Sequence, residues 1–334
     1  MFKSVLCFVS LLTFFYFQNT GQQQYVIRGY TQGTDYTIKY YGDHDFITKK
    51  AVDSILLKID SSMSLYKPYS LINQFNESEK GCPIDDQFAA VIRKSFEINQ
   101  QTSGNFDVTV APLVQAWGFG AQPMQRYPEN SDIQLLLQLV GMDKLVLKKN
   151  NFLKKKKPGV KIDLNGIAQG YSVDVVADYL LTKGITSFVV EIGGELRIKG
   201  LKPDGSARRI GIEGPALTEG GAPHIRHLAS IPEGAVTTSG NYRKFHQNGT
   251  KKITHLINPK TGYPLDNEMI SVTVFAKDAM TADGYDNALM AMDVKEALQF
   301  VEAKGDLEAY FIYRRKDGGV ADTLSRGFKK LIIN

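Results

Sequence analysis

The sequence contains only two cysteines in 334 residues, so disulfide bonds can contribute little to this protein. Cys7 lies in an apolar N-terminal run, and removal of that run would leave Cys82 alone. No Cys-x-x-Cys pair occurs, which excludes thioredoxin-like chemistry and zinc knuckles. We therefore expect the hydrophobic core alone to stabilise the fold, as a chain of this length allows.

Four common functional signatures are also missing from the chain. There is no Gly-x-Gly-x-x-Gly after a predicted strand, no phosphate-binding loop ending in Gly-Lys-Ser/Thr, no Gly-x-Ser-x-Gly and no His-Glu-x-x-His. These absences argue against a Rossmann enzyme, a P-loop nucleotidase, an α/β-hydrolase and a zinc protease.

The charge balance gives no reason to expect a nucleic-acid partner. The net charge is only +5, and no basic helix or basic stripe with interleaved aromatic residues is present. The one dense basic run, Lys154 to Lys157, precedes Pro158 and Gly159 and is typical of a solvated loop. With 43% apolar and 22% charged residues, the composition is that of a globular protein.

The longest apolar run lies at the N-terminus and is too short to span a membrane comfortably. It covers Val5 to Phe17, and a polar, glutamine-rich segment follows it. This pattern predicts a secretory signal peptide over residues 1–21, with Gly21 as the best small residue for cleavage. We expect residues 22–334 to form the folded domain of an exported protein. A lipoprotein or an uncleaved membrane anchor is the alternative.

Hydrophobic periodicity predicts an α+β fold. Tyr25 to Tyr41 alternates as two strands around a turn at Gln32-Gly33, and Phe46 to Met63 and Asp85 to Thr102 have helical spacing. Neither a repeat nor a linker divides the chain. We therefore predict one large domain with mixed β-sheets and packed helices, and a division into two lobes stays open.

A strand, turn and helix are predicted in the middle of the chain. Val160 to Leu164 is predicted as a strand, Asn165-Gly166 as a turn and Ile167 to Thr182 as a helix. The junction could bind a pyrophosphate at the helix N-terminus, and the Ala168 carbonyl could ligate a hard metal ion. The alternative is an ordinary connection between a strand and a helix.

A second candidate for metal binding lies near the C-terminus. Thr281 is predicted to cap a helix that runs towards Met292. Asp283 and Asn287 are four residues apart and share one face, which Asp286 borders, so their oxygens could hold Mg²⁺ or Ca²⁺. The simpler interpretation is that the acidic side chains interact favourably with the helix dipole and bind no ligand.

Two further residues have a setting that suits chemistry. His255 is predicted near the end of a strand, Thr254 to Ile257, where a neutral imidazole could accept a proton from an attacking hydroxyl group. The other four histidines have no comparable setting. Asp107, in Gly104 to Thr109, could bond a ligand hydroxyl or simply cap a turn.

The order of the polar motifs carries more information than any one of them. The eight motifs are, in order, Gln32-Gly33-Thr34, Ser64-Leu65-Tyr66, Gly104 to Thr109, Asp163 to Asp174, Gly193-Gly194-Glu195, Thr238 to Tyr242, His255 to Gly262 and Thr281 to Ala288. This series resembles the bacterial FAD:protein FMN transferases, the ApbE-like flavin transferases. The resemblance covers nearly all of residues 22–334.

The resemblance implies an activity and its location. Family members bind FAD with Mg²⁺ and transfer FMN, through a phosphoester bond, to a Thr or Ser of an acceptor protein, releasing AMP. The acceptors include flavoprotein subunits of respiratory and ion-pumping complexes, and the enzymes are periplasmic or associated with the inner membrane. An FAD pyrophosphatase and a non-catalytic periplasmic FAD-binding protein are the alternatives.

The resemblance also implies the roles of individual residues. The metal ligands would be the Ala168 carbonyl and the side chains of Asp283 and Asn287, and His255 would be the base. The flavin site would contain Gln32, Tyr66, Asp107, Gln169 and the surroundings of His255. Asn287 stands where the family usually has Thr, but its amide oxygen is still a hard ligand. Gln32 similarly replaces a Met of the family pattern.

Overall fold

The computed structural model describes residues 22–215, 221, 224–241, 245–248 and 251–333. The predicted signal peptide over residues 1–21 and its cleavage point lie outside the described residues. In the part of the chain that the structure describes, no helix is both long and apolar enough to cross a membrane.

Helices and strands alternate irregularly along the chain. The helices are α1 (Lys49–Met63), α2 (Leu71–Glu77), α3 (Asp86–Gln101), α4 (Ala111–Ala116), α5 (Asn130–Leu137), α6 (Ala168–Thr182), α7 (Ala279–Met290), α8 (Val294–Lys304) and α9 (Arg326–Leu331). The strands are β1 (Gln23–Thr31), β2 (Thr34–Gly42), β3 (Gly81–Pro83), β4 (Leu145–Leu147), β5 (Phe152–Lys155), β6 (Phe188–Ile192), β7 (Glu195–Lys199), β8 (Arg208–Gly214), β9 (His224–Ile231), β10 (Gly234–Gly240), β11 (Phe245–Asn248), β12 (Lys251–Thr254), β13 (Met269–Ala276), β14 (Glu308–Arg314), β15 (Val320–Leu324) and β16 (Ile332–Ile333).

One large sheet organises the fold. Its strand order is β1-β2-β6-β7-β10-β13-β14-β15, and every neighbouring pair is antiparallel. Smaller sheets have the orders β16-β9-β8, β3-β5-β4 and β11-β12. The predicted α+β fold class is confirmed, and the sheets are antiparallel in every described pair.

The two faces of the large sheet are covered by different layers. On β10, Ala235 packs into a core cluster with Val173 and Val176 of α6, whereas Val236 packs with Ile212 of β8. Successive residues of a strand point to opposite faces. Helix α6 therefore covers one face and the β16-β9-β8 sheet the other, while α7 packs beside α6.

The first hairpin forms where the sequence predicts it. Gln32 and Gly33 join β1 to β2 with φ values of 50° and 78°. Both residues are in the left-handed region, as a two-residue hairpin turn requires. The predicted helices around α1, α3 and α6 are also confirmed, within a few residues at each end.

The predicted strand over Val160 to Leu164 is wrong. These residues are in none of the strands that the structure describes, although Val160, Ile162 and Leu164 are buried. The side chain of Asn76 replaces a neighbouring strand: its Nδ2 donates to the Ile162 carbonyl at 3.0 Å, and its Oδ1 accepts from the Ile162 N–H at 2.8 Å. A side-chain amide thus satisfies the buried backbone.

The sequence pattern of Thr323 to Phe328 predicts a strand, but only its first two residues lie in one. Strand β15 ends at Leu324, and α9 begins two residues later. Ser325 is the N-cap of α9, and its side chain accepts a hydrogen bond from the Phe328 N–H. A serine before a helical turn is a typical start signal, which the alternating pattern concealed.

Candidate active site

A cavity of about 780 Å³ brings together every residue that the sequence nominates for function. It is lined by the first turn of α6, the middle of α7 and the loops after β1, α1, α3 and β12. The nominated residues in its wall are Gln32, Tyr66, Asp107, Ala168, Gln169, His255, Asp283 and Asn287. Their individual roles stay predictions.

Helix α7 begins earlier than the sequence suggests. Its N-cap is Asp278, whose carboxylate accepts the Thr281 N–H at 2.8 Å, so the prediction that Thr281 is the cap is wrong. Asp283 consequently lies in the second turn, with an exposed fraction of only 4%. The interaction of an acidic side chain with the helix dipole fades after the first turn, so it does not explain an acid at this position.

Asp283 fastens α7 to α6. Its Oδ2 accepts the backbone N–H of Gly170 at 2.8 Å. The approach requires glycine at position 170, because a Cβ there would lie 2.3 Å from the Ala279 carbonyl oxygen and 2.7 Å from Asp283 Cβ. This close helix contact places Asp283 near Ala168 at the start of α6.

The side-chain amide of Asn287 lies among four oxygen atoms. Its Nδ2 is 3.0 Å from the Asp283 carbonyl oxygen, 3.5 Å from Asp283 Oδ1, 2.9 Å from Asp286 Oδ1 and 3.4 Å from the Gly166 carbonyl oxygen. A donor group thus occupies a point that hard oxygen ligands surround. Rotation of the amide would present its oxygen there instead, completing a set that suits Mg²⁺ or Ca²⁺.

The carboxylates of this cluster are buried beside one another. Burial raises the pKa of Asp283 to about 7, and the hydrogen bond from Gly170 opposes the increase only in part. Burial and the nearby Asp283 raise the pKa of Asp286 well above its usual range. The salt bridges of the described residues include none to either acid. A bound cation would compensate both charges, so the residues present fit a divalent metal.

Any metal site here must include backbone and amide oxygens among its ligands. Within the described residues, no group of three or more His, Cys, Asp or Glu side chains is placed to hold a metal ion. The predicted set of the Ala168 carbonyl, Asp283 and Asn287 contains a single such side chain and is compatible with that finding. Asp286 instead accepts the Thr237 hydroxyl at 2.6 Å, which anchors α7 to β10.

Gln32 is connected to the Ala168 carbonyl through one intermediate side chain. Gln32 Nε2 donates to Ser172 Oγ at 2.9 Å, and that hydroxyl donates to the Ala168 carbonyl at 2.8 Å. The first hairpin and the start of α6 are therefore held together at the cavity wall. Near the same place, Gln169 Nε2 donates to the Ile192 carbonyl at 3.1 Å.

Asp107 and Tyr66 occupy different depths of the cavity. Asp107 Oδ1 accepts the N–H and the hydroxyl of Thr109, and its Oδ2 accepts the Met142 N–H at 3.1 Å. Asp107 therefore caps a turn, the simpler of the two roles that the sequence allowed, although its side chain also faces the cavity. Tyr66 lies at the mouth and is 63% exposed.

His255 lies just beyond β12 and not on a strand. Strand β12 ends at Thr254, and Ile257 forms only an isolated bridge with Pro264, so the predicted strand from Thr254 to Ile257 is wrong beyond Thr254. The expectation that His246 has no comparable setting is also wrong, because His246 lines the same cavity and its Nε2 lies 3.1 Å from the Gly118 carbonyl oxygen.

Asp60 is a cavity residue that the sequence analysis missed. It lies on α1, has an exposed fraction of 8% and lines the cavity together with Gln32. Burial raises its pKa, which the charge of Lys67 and the nearby Gln32 amide oppose. A signal was available: Asp60 follows Leu56 by four residues and shares its buried face, where an acid is out of place.

Comparisons with known proteins show the family of the chain. A sequence profile of the ApbE family matches residues 32–311. The chain belongs to the ApbE family. It is an enzyme of the transferase class, as the relatives with assigned activities are.

The similar proteins cover nearly the whole chain. Proteins named FAD:protein FMN transferase from Vibrio cholerae and Haemophilus influenzae are each 35% identical and cover 89% and 91% of this chain, and 89% and 90% of their own length. A solved flavin transferase ApbE from Vibrio cholerae superposes with a TM-score of 0.83, covering 93% of this chain and 99% of its own. The apo flavinyl transferase ApbE from Pseudomonas stutzeri has 32% identity, the same TM-score, and coverage of 93% and 97%.

Proposed function

We propose that this protein is an Mg²⁺-dependent FAD:protein FMN transferase. It takes FAD, attaches the FMN half through a phosphoester bond to a Thr or Ser hydroxyl of an acceptor protein, and releases AMP. The observation that carries the proposal is the meeting of the Ala168 carbonyl, Asp283 and Asn287 with His255 in one cavity. Relatives of similar length carry the name of this activity.

The reaction exchanges one phosphorus–oxygen bond for another. The acceptor hydroxyl oxygen forms a bond to the phosphorus on the FMN side, and the bond from that phosphorus to the bridging oxygen breaks, so AMP leaves with that oxygen. His255 accepts the proton of the attacking hydroxyl. A positioned base of this kind typically contributes about 10²–10⁴-fold to the rate.

The residues around α6 and α7 bind the pyrophosphate. Ala168, Asp283 and Asn287 would hold Mg²⁺ at this place, and the ion would neutralise charge on the phosphate oxygens as AMP leaves. The N-terminus of α6 also faces the cavity, and its positive dipole end favours a phosphate there. The cavity volume, about 780 Å³, lies within the range usual for ligand sites.

The location and partners of the enzyme form part of the proposal. The apolar run before residue 22 supports export to the bacterial periplasm, with association to the inner membrane if that run is retained. The acceptors would be exported flavoprotein subunits of respiratory or ion-pumping complexes. The open mouth beside Tyr66 leaves room for a side chain presented by another protein.

The test is transfer of FMN to a protein. The full chain is expressed for export and purified, then incubated with FAD, Mg²⁺ and candidate acceptor subunits. We expect a fluorescent acceptor whose intact mass has increased by one FMN group, and no product when the metal is chelated. Intact mass and in-gel fluorescence report the same event independently.

The alternatives give different products in the same experiment. Free FMN and AMP with no modified acceptor would indicate an FAD pyrophosphatase, with water as the attacking group. FAD that co-purifies and stays intact with every acceptor would indicate a non-catalytic FAD-binding protein. Either result would contradict the transferase proposal.

His255 and His44 provide a matched pair of variants. His255→Ala should abolish transfer while FAD binding largely persists, because the base is lost and the cavity stays intact. His44 is exposed, packs against Phe46 with its ring tilted and lies outside the cavity, so His44→Ala should transfer at the normal rate. Equal transfer rates for the two variants would remove His255 from the mechanism.

A further inference from the structure

The loop after α4 contacts the chain on both sides of His255. Trp117 Nε1 donates to the Gly262 carbonyl at 2.8 Å, in the turn that follows His255. The Gly118 carbonyl lies 3.1 Å from His246 Nε2, in β11, which precedes His255. Because a carbonyl can only accept, His246 Nε2 carries the proton of this hydrogen bond. Two consecutive residues thus connect this loop to the segments that flank His255.

The next residue of the loop, Phe119, contacts two imidazole rings. Phe119 stacks on His246 with 4.4 Å between ring centroids and 21° between planes. The same ring meets His255 edge-on, at 6.2 Å and 65°. Edge-to-face pairs at this separation attract each other and prefer a definite orientation. All three rings line the cavity.

Glycine on each side of Phe119 is required by the path of the loop. Gly118 has φ +86°, and a Cβ there would lie 3.1 Å from Met124 Sδ. A Cβ at Gly120 would lie 2.2 Å from Gln115 Oε1 and 2.9 Å from Gln115 Cα. The Phe119 N–H donates to the Val114 carbonyl at 3.0 Å. The loop is therefore closely packed around Phe119.

We propose that Phe119 is a positioning residue for His255. The backbone of His255 has left the β11-β12 ladder, so strand pairing does not set the direction of its imidazole. The ring of Phe119, which stacks on His246, helps to set that direction at the cavity wall. The inference rests on the proposed function in so far as His255 acts as the base, but the orientation of the imidazole can be measured without turnover.

The first test separates positioning from ligand binding. Phe119→Leu keeps an apolar side chain but removes the ring, and we expect kcat for FMN transfer to fall roughly tenfold to a hundredfold, as misplaced catalytic groups do. The dissociation constant for FAD, measured by quenching of flavin fluorescence, should change by less than about twofold because a positioning residue does not act on substrate binding. Phe119→Tyr keeps the ring and should retain kcat within about threefold, since the edge contact persists.

The second test observes the His255 imidazole directly by NMR. The ring carbon–hydrogen signals of His255 are assigned in the NMR spectrum by their disappearance in His255→Ala. We expect Phe119→Leu to shift those signals, because the ring current of Phe119 is removed, and Phe119→Tyr to leave them near their original positions. This measurement needs neither an acceptor nor a metal, so it holds even if the protein does not transfer FMN.

The proposal and the proposed function fail in different ways. A wild-type protein that transfers FMN while Phe119→Leu keeps its kcat overturns the positioning role alone. A loss of FAD affinity as large as the loss of kcat also overturns it, because Phe119 would then belong to the flavin site. Unshifted His255 signals in Phe119→Leu overturn it independently of any activity. A folded wild-type protein without transfer, but with the expected NMR shifts, contradicts only the proposed function.

Discussion

The backbone N–H of Gly170 donates to Asp283 Oδ2 at 2.8 Å, and it is one of the hydrogen bonds that join α6 to α7. Gly170 lies two residues after Ala168, whose carbonyl is a predicted metal ligand, and Asp283 is another. The bond therefore helps to fix the separation of two predicted ligands that are more than a hundred residues apart in sequence. It also uses only one of the two carboxylate oxygens, which leaves Oδ1 facing the Asn287 amide.

Asp283→Asn should separate the charge of this side chain from its role between the helices. The amide oxygen can still accept the Gly170 N–H, so the fold should persist, but the anionic ligand is lost. We expect the Mg²⁺-dependent transfer rate to fall roughly 100-fold or more, measured over a Mg²⁺ titration. Asp293→Asn, at the N-cap of α8 and outside the cavity, should leave the rate unchanged. A normal rate in Asp283→Asn would rule out the metal assignment.

Gly170→Ala should push the two helices apart. The new Cβ would lie 2.3 Å from the Ala279 carbonyl oxygen, which is backbone and cannot rotate away. We expect a loss of roughly 1–3 kcal/mol in the free energy of unfolding, measured with urea, together with a loss of transfer.

Gly184→Ala provides the control for this substitution. Gly184 follows α6 with φ +78°, and a Cβ at this position would meet no atom within 4 Å, so only backbone strain of about 1 kcal/mol is expected. Transfer by the folded Gly184→Ala protein should be normal. Normal transfer by Gly170→Ala as well would show that the spacing of α6 and α7 does not matter to the site.

Asp107→Asn should reveal whether this residue binds a ligand as well as capping its turn. The amide has one acceptor oxygen in place of two, so a donor now bonded to Asp107 loses its partner, and we expect the free energy of unfolding to fall by about 1–2 kcal/mol. Loss of the predicted flavin contact should in addition raise the FAD dissociation constant roughly fivefold. Asp85, the N-cap of α3, lies outside the cavity, and Asp85→Asn should leave the FAD dissociation constant unchanged. An unchanged FAD affinity in Asp107→Asn would assign Asp107 to the cap alone.

Lys155 should make stability rise with pH in alkaline solution. Its ammonium is buried, bonded to the Ser78 carbonyl at 2.7 Å, and burial lowers its pKa from 10.5 to about 8. Between those values the unfolded chain binds more protons than the folded one, so the free energy of unfolding increases as the pH rises from about 8 to about 10.5. Below pH 8 both states are charged, and the burial cost is fully present.

The comparison with Lys155→Met isolates this effect. From pH 7.5 to pH 10 the stability of the wild-type protein, relative to Lys155→Met, should rise by about 1–3 kcal/mol, since one pKa unit corresponds to about 1.4 kcal/mol. Lys154 is exposed, so Lys154→Met should show no such trend relative to the wild type. A difference that stays constant over this range would contradict a lowered pKa for Lys155.

Much of the local structure was predictable because its causes are local. The Gln32-Gly33 turn, the apolar spacing of α1 and α3 and the helix after Gly166 each depend on a few neighbouring residues. One error arose where a distant side chain decided the outcome: Asn76 binds both backbone groups of Ile162 and removes the need for a strand there. Another had a local cause: the Asp278 carboxylate, three residues before Thr281, accepts the Thr281 N–H and caps α7.

The candidate site was predictable as a set but not as an arrangement. The order of short motifs nominated Ala168, Asp283, Asn287 and His255, because residue types that suit a metal and a base can be recognised in the sequence. The spatial neighbours of these residues could not be predicted in the same way. His246 and Phe119 approach His255 only because β11 and the loop after α4 converge in the folded chain.

The fold class, the family resemblance and the candidate polar residues can be deduced from the amino-acid sequence, since they follow from periodicity and motif order. The folded chain was needed to show that Asp283 is buried against α6, that Asp107 caps its turn, and that Asn287 lies among four oxygens. Burial and hydrogen bonding between distant segments depend on packing, and packing sets the protonation and orientation of these groups.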